Sequence, residues 1–466
     1  MSVQTDITSL IMFYKVDISA LLLDQNPWWN NPNHRETRGF PFRRAVFLSL
    51  LPYVSDPREL RAALLIGPRQ VGKTTLLRQL VDELLDRNWP PGNIMFFDFA
   101  DERLVDAISP REVATARPSG MSDEHPRVLL LDEIQYAPGW SRWLKSAVDQ
   151  ARRTGSRIRF IVTGSAASAL RDGAIESGQG RWDELQIEGL TFSEFLSLSG
   201  RGADDPGKLA ARDPQAFDRY LALGGLPGHA NSVSPRASRR RIREDVAERA
   251  ILRDLRGTGV EIEQVRRLFV HLVAGSGGEW NQSNRADDLG ANRKSLGDWL
   301  ALLESTHLLV RLNRDRTALT KARSDLRSRP KIFAADHGLI AAFSPYPEPL
   351  QVTEVLARVY EAIVFRHLRD LARKGSGELS FFRLNDDIEV DFVLRYPRSA
   401  VGVEVTSSSN LKPSKIARAA EGMQRAGIER KLLIHGGVTM THSSGVALVP
   451  LHEFLLDPSR HAGAEP

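Results

Sequence analysis

Cysteine is absent from all 466 residues. That excludes a disulfide framework and a thiolate metal site, and it fits a chain kept in a reducing cytosol. Long apolar runs are missing too. The most apolar stretch outside the strands discussed below, Ala45 to Val54, is about half the length a bilayer span needs, and Arg44 and Asp56 flank it closely. No transmembrane helix is therefore expected. Met1 to Asp6 lacks the basic segment that opens a secretory signal, so the expected location is cytoplasmic. Charge imbalance is small, at +5 net, and the 26% charged and 42% hydrophobic shares are those of a globular chain. The length exceeds one ordinary core and predicts about two to four domains.

What is present begins with Leu64-Leu65-Ile66, an apolar strand that runs directly into Gly67-Pro68-Arg69-Gln70-Val71-Gly72-Lys73-Thr74-Thr75. This is a GxxxxGK[ST] loop in its required setting, because Leu76 to Leu85 follows with helical periodicity. Glycines let the backbone wrap phosphates so that N–H groups point inward, and the loop delivers them to a helix N-terminus that favours anions. In such a cradle Lys73 neutralises the β- and γ-phosphates, and the Thr74 hydroxyl holds Mg²⁺. The expected ligand is a nucleoside triphosphate.

A second element turns a binding loop toward hydrolysis. Arg127-Val128-Leu129-Leu130-Leu131-Asp132-Glu133 is an apolar strand ending in two carboxylates, the form of a Walker B strand. Strands of parallel sheets are buried on both faces and read as continuous apolar runs, with ligands at their carboxyl ends. Asp132 is then assigned to the Mg²⁺ shell and Glu133 to the attacking water as base or positioner.

From about residue 59 to 200 strands alternate with helices, the rhythm of a doubly wound α/β sheet. The strand Arg159 to Val162 ends in Thr163-Gly164-Ser165, which sets Thr163 at the sheet edge as a polar sensor of the γ-phosphate. Gly178-Gln179-Gly180-Arg181 places one arginine in a glycine-rich loop. Arg181 is either a solvated loop residue or a finger on the phosphoryl charge, acting in its own subunit or from a neighbour.

The basic run Pro235 to Arg256 contains eight arginines interleaved with Glu244, Asp245, Glu248 and Asp254. It reads either as a phosphate-tracking surface or as a solvated helix face stitched by ion pairs. Between about 260 and 315 the pattern fits a winged helix-turn-helix, with Arg293 and Lys294 in the recognition position and Asp287-Asp288 just before. Its role is DNA binding or a structural or protein contact. The last third reads helix (Glu354 to Leu371), three strands, helix, strand, the core order of restriction-endonuclease-like folds. Glu361, Asp391 and Glu404 fall where three oxygen donors suit Mg²⁺. Acidic residues inside apolar strands are costly unless paired or metal-bound.

Taken together the chain resembles a large family of prokaryotic ATPases. These have an AAA-type ATP-binding domain, a winged-helix segment and a C-terminal domain of unknown function related to PD-(D/E)xK nucleases. The likeness rests on Gly67–Thr75, Leu131–Gln135 with Pro138 and Trp140, Thr163–Ser165, Gly180-Arg181, Leu223–Pro227, Arg253–Leu255, Pro330–Leu339 and Glu389–Leu394. It implies Mg²⁺-dependent ATP hydrolysis by Lys73, Thr74, Asp132 and Glu133. No guanine-selecting NKxD tetrapeptide appears, which also points to ATP. One departure stands out: active nucleases of this kind read E-x-K on the third strand, where this chain has Thr406. Lys412 and Lys415 on the following helix are the candidates to replace it, and otherwise the metal site of Asp391, Glu404 and Glu361 is vestigial.

The expected layout is a helical lead-in (1–58), a P-loop ATPase core (59–200), a helical lid or linker (201–260), a winged-helix domain (261–325) and a nuclease-like α/β domain (326–466). The expected function is an Mg²⁺-dependent ATP-driven switch acting on DNA or a protein partner, possible as a homo-oligomer and without a membrane. The alternatives are an ATP-dependent metal nuclease and a DNA-binding regulator with a structural nucleotide site.

Overall fold

Two units make up the chain, Met1–Ile187 and Glu188–Pro466. The computed structural model describes residues 18–37, 40–104, 108–164, 180–200, 206–254, 261–283, 292–315, 329–384, 388–438 and 445–463.

In the first unit the apolar runs become five strands: β1 (Ala62–Ile66), β2 (Ile94–Asp98), β3 (Arg127–Asp132), β4 (Ile158–Gly164) and β5 (Trp182–Gln186). They form one sheet in the order β2-β3-β4-β1-β5, and every pairing is parallel. Parallel strands need helical crossovers, which cover both faces and account for runs without polar alternation. Leu64, Leu129, Leu131 and Val162 pack on one face with Trp140, Leu144 and Val148 of helix α2 (Trp140–Thr154). Ala63, Leu65, Leu130 and Ile161 pack on the other with Leu76, Leu80 and Leu84 of α1 (Lys73–Asp86). Because all strands run one way, their carboxyl ends share one edge. The register sets Ile66 beside Gly164 and Asp98 beside Asp132 there, while Ala62 and Trp182 pair at the opposite edge.

In the second unit, α3 (Ile262–Ala274), β6 (Gly278–Glu279), α4 (Arg293–Ser305), β7 (Leu309–Leu312) and β8 (Lys331–Ala334) follow in order. Strands β6, β8 and β7 form a small antiparallel sheet. A 22-residue helix, α5 (Thr353–Lys374), then leads to β9 (Glu378–Arg383), β10 (Glu389–Arg395) and β11 (Ala400–Val405). After α6 (Pro413–Arg425) come β12 (Arg430–His435) and β13 (Ala447–Pro450). The sheet order is β13-β12-β11-β10-β9, antiparallel across β9, β10 and β11 and parallel across β11, β12 and β13. Strand β13 has no counterpart in the sequence reading. Aromatic stacking ties the small sheet to α5 and β10, with ring centroids 4.2 Å apart for Phe333–Phe365 and 6.0 Å for Phe365–Phe392.

Glu188, at the start of this unit, is buried against three arginines of α5. Arg366 and Arg373 lie 3.0 and 2.6 Å from its carboxylate, and Arg369 pairs with it as well. The basic run after Pro235 is a helix followed by two π-helical turns, Ile242–Glu248 and Ala250–Asp254. Within it Arg239 and Arg243 donate to the carbonyls of Pro347 and Ala342, and Arg249 pairs with Asp245. Three of its arginines are thus engaged within the unit, which favours the stitched-face reading. Arg256 lies outside the described residues.

Candidate functional site

The sheet edge at the carboxyl ends of β1, β3 and β4 assembles the nucleotide loop and its partners. Gly67 has φ +156°, and a Cβ there would lie 2.1 Å from the Ile187 carbonyl oxygen, so only glycine fits. Gly67→Ala is expected to destabilise the first unit by about 2 kcal/mol or more, read as a lowered thermal midpoint together with weakened nucleotide titration. Gln70 and Gly72 also take positive φ, which turns the loop back on itself ahead of α1. Lys73 Nζ donates to the carbonyls of Gly67 and Pro68 at 2.8 and 2.9 Å. Arg69 reaches the Tyr136 hydroxyl at 3.2 Å.

Thr74 Oγ1 donates to Asp132 Oδ2 at 2.6 Å, and Thr163 Oγ1 donates to Asp132 Oδ1. The Thr163 hydroxyl also accepts the Glu133 amide at 2.9 Å. The loop threonine, the strand aspartate, the neighbouring-strand threonine and the Glu133 backbone therefore form one continuous chain. Glu133 sits at φ +49°, uncommon for a residue with a Cβ, and its carboxylate accepts from the Gln135 amide.

Burial pushes the Asp132 carboxyl up to about 6, with the nearby Glu133 charge adding to it and the two threonine hydrogen bonds opposing it. Asp98, missed in the sequence, stands beside Asp132 in register and is raised mainly by burial. Its only sequence signal was its place at the end of an apolar strand. Carboxyls raised by burial and mutual repulsion at one edge are short of positive charge. A divalent cation would supply it, and the oxygens of Thr74 and Asp132 are the hard donors Mg²⁺ takes. These residues fit that ion.

Arg181 is not brought to this edge. It immediately precedes β5, its carbonyl accepts the Ala62 amide, and Trp182 pairs with Ala62 at the amino end of the sheet. Its guanidinium pairs with Asp149 at 3.2 Å in a hollow shared with Arg142, Lys145, Arg152 and Arg153. By this register the whole length of β1 separates Arg181 from Gly67, so within one subunit it stands away from the phosphate loop. Gly178, Gln179 and Ser165 lie outside the described residues, as do Asp287 and Asp288.

In the second unit, Glu361, Asp391 and Glu404 line one cavity of about 910 Å³, together with Lys331, Glu389, Lys412 and Lys415. Among the described residues no group of three or more histidine, aspartate or glutamate side chains converges tightly enough to hold a metal ion. Thr406 is not among the lining residues. Lys331 is, and the sequence reading missed it: it lies on β8, far from the E-x-K position. Arg293 and Lys294 are exposed on the first turn of α4, whose Asn292 caps it through the Ser295 amide. No helix among the described residues is long and apolar enough to cross a membrane.

Comparison with known proteins agrees with the geometry of the first unit. Residues 59–196 match the family model of an AAA domain. Laid over the loop, the paired threonines and the parallel sheet, that match supports a nucleotide-binding P-loop core of AAA type. Residues 214–350 and 357–454 match two domains of unknown function, DUF8612 and DUF4143. Relatives include an uncharacterized protein of Haemophilus influenzae, 23% identical over 337 residues, covering 69% of this chain and 79% of that one. An uncharacterized protein of Mycobacterium tuberculosis is 27% identical over 361 residues, covering 77% of this chain and 73% of that one. Among solved structures, the Aeropyrum pernix ORC1 protein in complex with DNA overlaps 69% of this chain and 97% of its own. It is 14% identical with a TM-score of 0.31, too low to carry an argument.

Proposed function

We propose that the chain is an Mg²⁺-dependent, ATP-hydrolysing molecular switch of AAA type that acts through its C-terminal half on DNA or a protein partner. The observation that carries this reading is the hydrogen-bonded chain from Thr74 through Asp132 and Thr163 to the Glu133 amide. It links the phosphate loop to the strand that bears the water-activating carboxylate. Lys73 neutralises the phosphates, Thr163 senses the terminal one, and Glu133 takes the proton of the water as the water oxygen bonds to the γ-phosphorus. The bond from that phosphorus to the bridging oxygen of ADP breaks in the same displacement. Bound Mg²⁺, held through Thr74 and Asp132, supplies charge neutralisation on the phosphates. Chelating Mg²⁺ is expected to abolish phosphate release from ATP, and restoring it to bring the rate back.

For Arg181 the reading that fits its place at the amino edge is a contact donated to the site of a second copy. Arg181→Ala is then expected to lower turnover more than ATP affinity. Activity recovered on mixing it with Lys73→Ala supports a finger across subunits. Turnover and affinity both unchanged in Arg181→Ala would remove it from the site.

The order helix, three antiparallel strands, helix, strand in residues 353–435 supports an endonuclease-like domain, and the α3 to β8 segment supports a winged helix. A metal-nuclease reading is favoured by one specific observation. Asp391 and Glu404 stand together at the wall of a single cavity: Asp391 Oδ2 accepts the Val405 amide at 2.9 Å, and the Asp391 amide approaches the Glu404 carboxylate.

A further inference from the structure

The phosphate loop is braced by a segment that precedes it in the chain. Gln79 and Asp82 of α1 are polar yet only 3% and 5% exposed. Polar residues of an amphipathic helix ordinarily face water, and buried ones need hydrogen-bond partners. Residues 36, 37, 40 and 42 supply them. Asp82 accepts the Glu36 and Thr37 amides at 2.9 and 2.8 Å and the Thr37 hydroxyl at 2.6 Å. Gln79 donates to the carbonyls of Phe40 and Phe42 at 3.1 and 2.8 Å. Arg35 meets Asp86 at 2.8 Å. As the segment advances from 35 to 42, these contacts step back along the helix from 86 to 82 to 79, so the segment runs antiparallel to α1 and heads for its amino end. That end carries the phosphate loop.

Arg44 is the residue that arrives there. It is 8% exposed, and its Nη1 donates to the Val71 carbonyl at 3.2 Å. Val71 and Gly72 share one planar trans peptide, whose C=O and N–H point in opposite directions. A guanidinium that holds the carbonyl on one side therefore sets the Gly72 N–H on the other. The hold matters because Gly72, at φ +96°, has no Cβ to resist rotation of this peptide. Turned over, the peptide would offer the phosphates a carbonyl oxygen in place of a donor, and an anion cradle works only when its N–H groups converge. Lys73 holds different carbonyls, those of Gly67 and Pro68.

We propose that Arg44 is a positioning residue for nucleotide binding, which fixes the Val71–Gly72 peptide so that the Gly72 N–H faces the phosphates of ATP. The proposal rests on the nucleotide-binding reading of the first unit and adds a residue outside the loop on which the loop's affinity depends. Arg44 acts through the Val71 carbonyl and does not touch the nucleotide. Because the Gly72 N–H meets the phosphates in the bound state and in the transition state alike, its loss weakens both equally. That signature is a raised KM with kcat kept.

The test is ATP titration and steady-state hydrolysis by the full chain with Mg²⁺, beside Arg44→Met and Arg44→Lys. Arg44→Met keeps the aliphatic stem and removes every donor, and it should weaken ATP binding about tenfold or more. Its KM should rise by the same factor while kcat stays at the parental value. Arg44→Lys keeps a cationic donor and should restore most of the lost affinity. A merely structural arginine would instead leave fewer active molecules, with a lowered apparent kcat at parental KM, and that result would overturn the proposal. Should Arg44→Met fail to fold, Arg44→Gln, uncharged and shorter, carries the same expectation. Failure of both to fold would show the arginine to be structural and would also overturn it. Parental affinity in Arg44→Met would remove the role of Arg44 alone, whereas a parent that binds no ATP would overturn the nucleotide reading itself.

Discussion

Glu133→Gln should bind ATP as tightly as the parent and hydrolyse it roughly 10²-fold or more slowly, within the range for loss of a general base. The substitution keeps the amide at residue 133 that donates to Thr163, so the strand turn and the Asp132 contacts persist. What is lost is the group that accepts the proton of the attacking water. Gln135, which donates to the Glu133 carboxylate, holds the carboxylate in place and would hold the amide oxygen similarly. Lys73→Ala should fail at the earlier step, because no other side chain of the loop carries an ammonium at the phosphates. Nucleotide titration and single-turnover hydrolysis separate the two lesions. A Glu133→Gln variant that hydrolyses ATP at the parental rate would show the base to be elsewhere.

Glu188→Ala should cost about 3–5 kcal/mol, the usual penalty for removing one partner of a buried ion pair. Three guanidiniums of α5 converge on this one carboxylate, and Arg366 also donates to the Gly189 carbonyl. Burial alone would raise the Glu188 pKa, but Arg366, Arg369 and Arg373 outweigh it and hold the carboxyl below its ordinary value. A depressed carboxyl contributes stability above its unfolded pKa, about 4.3 for glutamate, and loses it as pH falls through the folded pKa. The gap in thermal midpoint between parent and Glu188→Ala should therefore be widest near neutral pH and narrow in acid. An equal gap at pH 7 and pH 3 would contradict the assignment.

The placements that were legible in the sequence are local ones. Lys73, Thr74, Asp132 and Thr163 follow apolar runs that can only be buried parallel strands, and parallel strands bring their carboxyl ends to one edge whatever their order. The placement of Arg181 was not legible, for the complementary reason. Its loop position was legible, but which end of the sheet it reached depends on β5 pairing with β1 across more than a hundred residues. Lys331 was hidden in the same way, since it belongs to a different sheet from Asp391 and Glu404 and meets them only through packing. The Glu188 cluster joins residues that no periodicity connects. Asp98 was readable in principle, as a polar residue ending an apolar strand, but it carried no motif to distinguish it from a turn residue.

Phosphate release from ATP, measured on the full chain with Mg²⁺ beside its Lys73→Ala variant, decides whether the first unit hydrolyses nucleotide. The parent should release phosphate with saturable dependence on ATP, and the variant should show no release above background. Release at equal rates from both, or from neither, would contradict the assignment of Gly67–Thr75 and Asp132-Glu133 as a hydrolytic site.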